Sequence, residues 1–293
     1  MATDPLNPPP TPQRVYYSTG RMLAVDDFQA DQAYHRGRLA RALMQLYGTG
    51  TVAGLLVQTD GNTDVTELEL QVTPGFAIDR VGRIIEVPQL VCIALDTWLN
   101  QLMAAWHAQL SNPVSGQAAL PDPNTAIHDG KHLMCDVFAT FACCTVGATP
   151  NFASDDDYDA TDAFSANRWL DSFAMQLVLR TDANPLTPAD PWKSSGTITA
   201  PGADLTAPAA AALQNLILAA TAGSGAAAVE YPTGLDTSSV FLARILIAAT
   251  AGTAGQPPTW DLTQISIDNN SRLFVYPSSL LGRLGGLTSG TEA

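Results

Sequence analysis

YSTGRMLAVDDFQADQAYHRGRLARALMQLYGTGTVAGLLV (residues 17–57) and ELQVTPGFAIDRVGRIIEVP (residues 69–88) decide how this chain is read. The first stretch predicts a helix over 26–47. Asp26 or Asp27 can cap it by accepting backbone N–H bonds. Phe28, Leu39, Leu43, Leu46 and Tyr47 give a broken apolar stripe at helical spacing. Arg36, Arg38 and Arg41 sit in the C-terminal half, where cations oppose the helix dipole favourably. Gly37 weakens the middle, and Gly48 and Gly50 end the helix. Residues 51–57, 67–72, 75–79 and 83–88 alternate apolar and polar or are β-branched, as short strands do. Pro74-Gly75 and Val81-Gly82 mark the turns between them.

Working outward, a run at 90–95 leads to a second helix over 96–110, with Trp98, Leu99, Leu102 and Trp106 at helical spacing. Residues 111–130 and 147–168 read as polar loops, and 181–207 as an irregular Pro/Asp/Thr-rich segment. Strands are expected at 131–146, 172–180 and 238–250, a helix at 208–222, and a hairpin over 263–277 turning at 268–271. No internal repeat emerges. The fold class is α+β: a long N-terminal helix, then a β-rich, sandwich-like body with peripheral helices and long loops. Residues 1–20, with Pro8 to Pro10, form an extended arm. Residues 21–277 form the body, with a candidate sub-boundary near 111–130, and 278–293 form a tail.

The 293 residues are 46% hydrophobic and only 14% charged, so a sizeable core is paired with a sparsely charged surface. Subunit contacts suit such a surface; so does a GC-rich genome, which raises Ala, Gly, Pro and Thr for coding reasons. The net charge of −14 makes phosphate-backbone binding a poor fit, so no nucleic-acid partner is expected. Arg14, Arg21, Arg36, Arg38, Arg41, Arg80 and Arg83 are half of the 14 Lys and Arg, leaving the remainder strongly acidic. That asymmetry favours contacts between neighbours of opposite local charge. No apolar run reaches the roughly 18 residues of a membrane span, and the N-terminus has no signal-peptide pattern. The expectation is a chain made in the cytoplasm without membrane insertion. Cys92, Cys135, Cys143 and Cys144 read as buried thiols rather than a disulfide framework.

One set of motifs runs Gly20, Arg21, Leu23, Asp27, Phe28, Gln32, Tyr34, then Gly50, Val52, Gly54, Leu55, Val57. It continues with Pro74, Gly75, Ala77, Asp79, Gly82, Arg83, Ile85 and Pro88. Later pieces are the stretch 167–177, the Leu-Ala-Arg strand around Ala243, and Ile267 with Asp268, Ser271, Arg272 and Val275. This order resembles tail-associated structural proteins of phage tails and contractile injection systems, of baseplate or fibre-attachment type. The resemblance covers most of the chain through short motifs. It implies a component of a phage virion or tail-like particle that binds other particle subunits and forms a homo-oligomer within the assembly. Arg21, Phe28, Tyr34, Arg36, Arg38, Arg41 and Arg83 are the candidate partner-binding residues.

Other constellations carry less. His128, His132, Cys135 and Cys143 or Cys144 contain zinc-ligand types, but a strand would split His132 from Cys135. Asp155, Asp157, Asp159 and Asp162 form a candidate Ca²⁺ loop, although Ala160 and Ala166 break the EF-hand pattern. Trp192 and Trp260, in polar Pro-bearing loops, are candidate glycan or partner contacts. No Gly-x-Ser-x-Gly elbow or phosphate loop occurs, so no catalytic residue is expected. Three functional readings follow: a structural assembly subunit, a receptor- or glycan-binding module that uses Ca²⁺, and a metalloenzyme. The first is favoured, with no enzyme activity and no cofactor unless Ca²⁺ binds.

Overall fold

The computed structural model describes residues 13–62, 64, 67–111, 120–150, 164–188, 228–253 and 256–276. Helix α1 spans Val25–Tyr47. Asp27 starts it, accepting the Ala24 N–H at 3.0 Å while also receiving Arg21 Nη2 at 2.9 Å. Gly48 ends it at φ 77°, and its N–H reaches the Met44 carbonyl at 2.9 Å. Helix α2 spans Leu95–Ser111 and buries Leu95, Leu99, Met103 and Trp106; of the four residues that its periodicity picks out, Leu99 and Trp106 are buried and Trp98 and Leu102 are half-buried against the core.

Three sheets build the body. Strands β1 (Gly50–Gly54), β4 (Gly75–Ile78) and β5 (Ile84–Val87) form one, in the order β1-β4-β5. Strands β2 (Val57–Thr59), β3 (Glu69–Val72) and β6 (Val91–Ala94) form a second, in the order β2-β3-β6. The chain passes from the first sheet to the second through a sharp corner: Gly54 lies at φ 60° and Leu55 at φ 54°. A Cβ on Gly54 would fall 2.0 Å from the Pro74 carbonyl oxygen, so this position requires glycine. Leu55 keeps its unusual backbone because its side chain is fully buried there.

The third sheet holds the long strands β8 (His132–Val146), β11 (Arg168–Leu179), β12 (Val240–Thr250) and β13 (Thr259–Asp268). They run antiparallel in the order β11-β8-β12-β13, with β7 (Ile127–His128) added beside β8. A two-stranded ribbon, β9 (Thr149–Pro150) with β10 (Phe164–Ser165), stands apart. Side chains alternate across β8. Leu133, Cys135, Val137 and Ala139 enter the main core. They meet Leu55, Val57, Leu70, Val72, Ile85 and Val87 of the small sheets and Leu95 and Leu99 of α2 in one apolar cluster. Asp136, Phe138 and Thr140 alternate with these residues and are also buried. Phe138 stacks on Tyr231, with ring centroids 5.7 Å apart. The result is a mixed α+β molecule with a β-rich body, and no described helix is long and apolar enough to cross a membrane.

Three expectations change. Among the described residues of 263–277 no hairpin forms. After Asp268 the chain turns away and residue 274 pairs parallel with Thr51 of β1. The Thr51 N–H donates to the Leu273 carbonyl, and the Val275 N–H to the Thr51 carbonyl, both at 2.9 Å. The cysteines are not uniformly buried either. Only Cys135 is; Cys143 is half-buried and Cys144 exposed, because the end of β8 runs past the covered part of the sheet, and Cys92 is exposed on β6. The expected loops at 111–130 and 147–168 contain, in their described parts, a 3-10 turn at Pro123–Ala126 with the strand β7, and the paired strands β9 and β10.

Candidate docking surface

Helix α1 meets the body where Ala40 packs on the turn between β4 and β5, and Tyr34, Leu43 and Met44 are half-buried. Ala33 and Gly37 are half-buried, and Ala40 is its one buried residue. The turn between β4 and β5 fits beneath Ala40 so closely that a Cβ on Gly82 would lie 1.9 Å from the Ala40 carbonyl oxygen. The apolar stripe expected from the sequence points the other way. Phe28, Leu39, Leu46 and Tyr47 are 52%, 59%, 75% and 49% exposed, and Val25, outside the expected stripe, is 70% exposed. Leu43 lies to one side and is half-buried. Tyr16, Tyr17 and Met22, just before the helix, are exposed as well. Isolated exposed leucines are ordinary, whereas a contiguous exposed stripe marks a contact site.

The sequence-predicted partner-binding residues divide between two places. Phe28, Arg36, Arg38 and Arg41 are exposed on α1, Tyr34 is half-buried, and Arg21 anchors the helix start through Asp27 and the Tyr16 carbonyl. Among the described residues Arg36, Arg38 and Arg41 make no ion pair, which leaves a basic half-helix. Arg83 belongs elsewhere, inside the body. Its Nε meets Asp79 Oδ2 at 2.5 Å, its Nη2 donates to Ser238 Oγ at 2.6 Å, and its guanidinium lies 4.9 Å from the Phe141 ring centre. Burial pushes the Asp79 carboxyl above its ordinary value even against the adjacent Arg83 charge.

Sequence reading missed a buried charge network on the other side of β8. Asp136 is fully buried, pairs with Arg180, and receives Arg244 through two bonds of 2.8 and 2.9 Å. Arg180 Nη1 also donates to the Glu230 carbonyl at 2.7 Å, and Arg244 Nη1 to the Pro185 carbonyl at 2.8 Å. Arg80 pairs with Glu230, and its Nε donates to Tyr231 Oη at 3.0 Å. These bonds fasten the segments around Pro185 and Glu230 across the long sheet. A sequence signal existed: Asp136 and Arg244 each interrupt an apolar strand, and charges so placed must find partners.

A second arginine anchor sits at the far end of β13. Arg272 is buried and donates to the Leu55 carbonyl at 2.7 Å and the Asn269 carbonyl at 2.8 Å. Burial pulls its pKa down to about 10, which still leaves it a cation at neutral pH. Asn269 Oδ1 accepts the Val57 N–H and its Nδ2 donates to the Val57 carbonyl, completing the β2 edge.

The remaining sequence candidates are not brought together. His128 Nε2 lies 3.2 Å from the Arg180 carbonyl oxygen, His132 faces Asp129 at 3.7 Å, and Cys135 is in the core. Among the described residues no group of three or more His, Cys, Asp or Glu could hold a metal ion. Trp260 is half-buried and packs against the core. Asp155, Asp157, Asp159, Asp162 and Trp192 lie outside the described residues. Comparison with protein-family models and with curated proteins finds no match to this chain.

Proposed function

We propose that this chain is a structural subunit of a phage tail or contractile injection particle, acting by protein–protein assembly near the baseplate or at fibre attachment. The observation that carries this reading is α1. It meets the body where Ala40 packs on the Gly82 turn, and it turns an apolar stripe and a basic half outward. A helix stabilised mainly by its packing would bury that stripe. Here the larger apolar side chains are left for a partner. The body behind it is cross-tied by Arg83, Arg180, Arg244 and Arg272, which suits a rigid module that transmits load rather than one that opens around a substrate. The motif order from Gly20 to Pro88 and its resemblance to tail-associated proteins points the same way.

Co-sedimentation tests it. A chain tagged at its C-terminus in the source organism is expected to pellet with purified tail-like particles and to leave them when Phe28→Asp and Leu39→Asp are introduced together. A tagged chain that stays wholly in the supernatant contradicts the proposal.

A further inference from the structure

The outward face of α1 carries a heptad seam. Val25, Phe28, Gln32, His35, Leu39, Ala42 and Leu46 follow one another at alternating spacings of three and four, and all seven are exposed. Such spacing keeps side chains on one line facing a partner helix. We infer that this seam pairs with α1 of a second copy of the chain, the two helices running antiparallel about a two-fold axis.

The choice of occupant rests on self-complementarity. Reversed against itself, with each a position facing a d position, the seam places Phe28 opposite Leu39 of the second copy. Val25 then faces Ala42, and Gln32 faces His35. Between positions 25 and 42 apolar residues meet apolar ones and polar meet polar, as an isologous contact requires, while Leu46 lies beyond the paired stretch, opposite position 21, which precedes the helix. Gln32 and His35 form a polar layer at the crossing, the kind of layer that fixes register.

Charge agrees. Asp26, Asp27 and Asp31 lie in the first half of α1, and Arg36, Arg38 and Arg41 in the second. Antiparallel pairing lays each acidic half along a basic one. Asp31 and Arg38 flank the seam on the same side, so each Asp31 falls beside Arg38 of the other copy. A parallel pair would instead stack acidic starts on each other and basic ends on each other. The Ala40 side of each helix remains on its own body, so the two bodies lie on opposite sides of the helix pair.

This inference takes from the assembly reading only the use of α1 as a contact surface. A chain that dimerises but never enters particles overturns that reading and leaves this one. A chain that enters particles yet never self-associates does the reverse.

The test is sedimentation velocity of the full chain across a concentration series. Wild type is expected to dimerise, and Phe28→Asp or Leu39→Asp to raise the dissociation constant roughly 30-fold or more with the circular dichroism unchanged. Asp31→Arg should weaken the dimer, and Asp31→Arg with Arg38→Asp in the same chain should restore it. Orientation is read by cross-linking in a background of Cys92→Ser, Cys143→Ser and Cys144→Ser. Phe28→Cys mixed with Leu39→Cys should give the disulfide-linked pair, and Phe28→Cys alone should not. A wild-type chain that is monomeric throughout, a dimer indifferent to the seam substitutions, or cross-linking of Phe28→Cys to itself overturns the inference. So does a seam cysteine protected from thiol reagents in the monomer, which would show the chain's own tail lying there.

Discussion

Asp136→Ala is expected to destabilise the fold by about 3–5 kcal/mol, the loss that follows when one partner is removed from a buried ion pair. Asp136 has no exposed surface, and the Arg180 side chain is 1% exposed. Removing the carboxylate leaves the Arg180 and Arg244 guanidinium groups beside each other with their charges no longer balanced on that side. Their other acceptors, the Glu230, Pro185 and Leu186 carbonyls, carry only partial charge. Asp182 still meets Arg180 but is partly exposed, so it shields the pair poorly. The damage should spread across the sheet, because Asp136 sits opposite Val178 of β11 and Arg244 of β12. Urea denaturation measures the loss. Removing the cations as well, with Asp136→Leu, Arg180→Met and Arg244→Met, should recover part of it, since an apolar replacement leaves no uncompensated charge. A loss below about 1 kcal/mol for Asp136→Ala would mean that the network is solvated rather than buried.

Gly82→Val should unseat α1. Gly82 lies at φ 91°, a conformation that costs an L residue about 1–3 kcal/mol. Sterics add to this: the new Cβ would lie 1.9 Å from the Ala40 carbonyl oxygen and 2.5 Å from its carbonyl carbon. Both are helix backbone, so no side-chain rotation relieves the overlap. Either the helix lifts away or the turn rebuilds. The turn is held from inside by Asp79, which accepts the Val81 N–H at 2.9 Å and the Arg83 N–H at 2.8 Å. The helix, with Ala40 as its one buried residue, is the weaker side. Hydrogen exchange should therefore quicken along α1 while β8 and β12 stay protected. Unchanged exchange in α1 would show that the helix is held by something other than this contact.

Much of the body was legible because its signals are local. The alternation in 67–72 and 83–88, the Pro74-Gly75 turn and the tryptophan spacing of α2 each specify an element without reference to the rest of the chain. Pairings between distant segments were not legible. Residues 263–277 look like strand, turn, strand, and a hairpin is the cheapest local solution. Arg272 overrides it by reaching the Leu55 carbonyl, which pulls residues 273–275 onto β1. A clue was present: Ile78-Asp79 with Arg83 and Ile267-Asp268 with Arg272 repeat the same Ile-Asp-x-x-(Gly/Ser)-Arg turn. In both turns the aspartate side chain accepts the N–H two residues on, and a buried arginine four residues on reaches across to a distant segment.

The candidate docking surface is half legible in the sequence. Periodicity puts Phe28, Leu39, Leu43, Leu46 and Tyr47 on one stripe, but an amphipathic helix in a folded domain normally turns that stripe inward. Here Ala40 takes the inward side, because its small side chain lets helix backbone approach the Gly82 turn, while Ala33, Gly37 and Met44 are half-buried. Periodicity alone cannot tell a core-facing stripe from a partner-facing one; the difference lies in what the opposite face can pack against.

On the proposed reading, another polypeptide covers the outward face of α1 inside the intact particle. Electron microscopy of intact tail-like particles, at a resolution that shows side chains, tests it most directly. Density from another polypeptide packed over Phe28, Leu39 and Leu46 is the expected result. Particles that contain the chain with those three side chains facing solvent would contradict it.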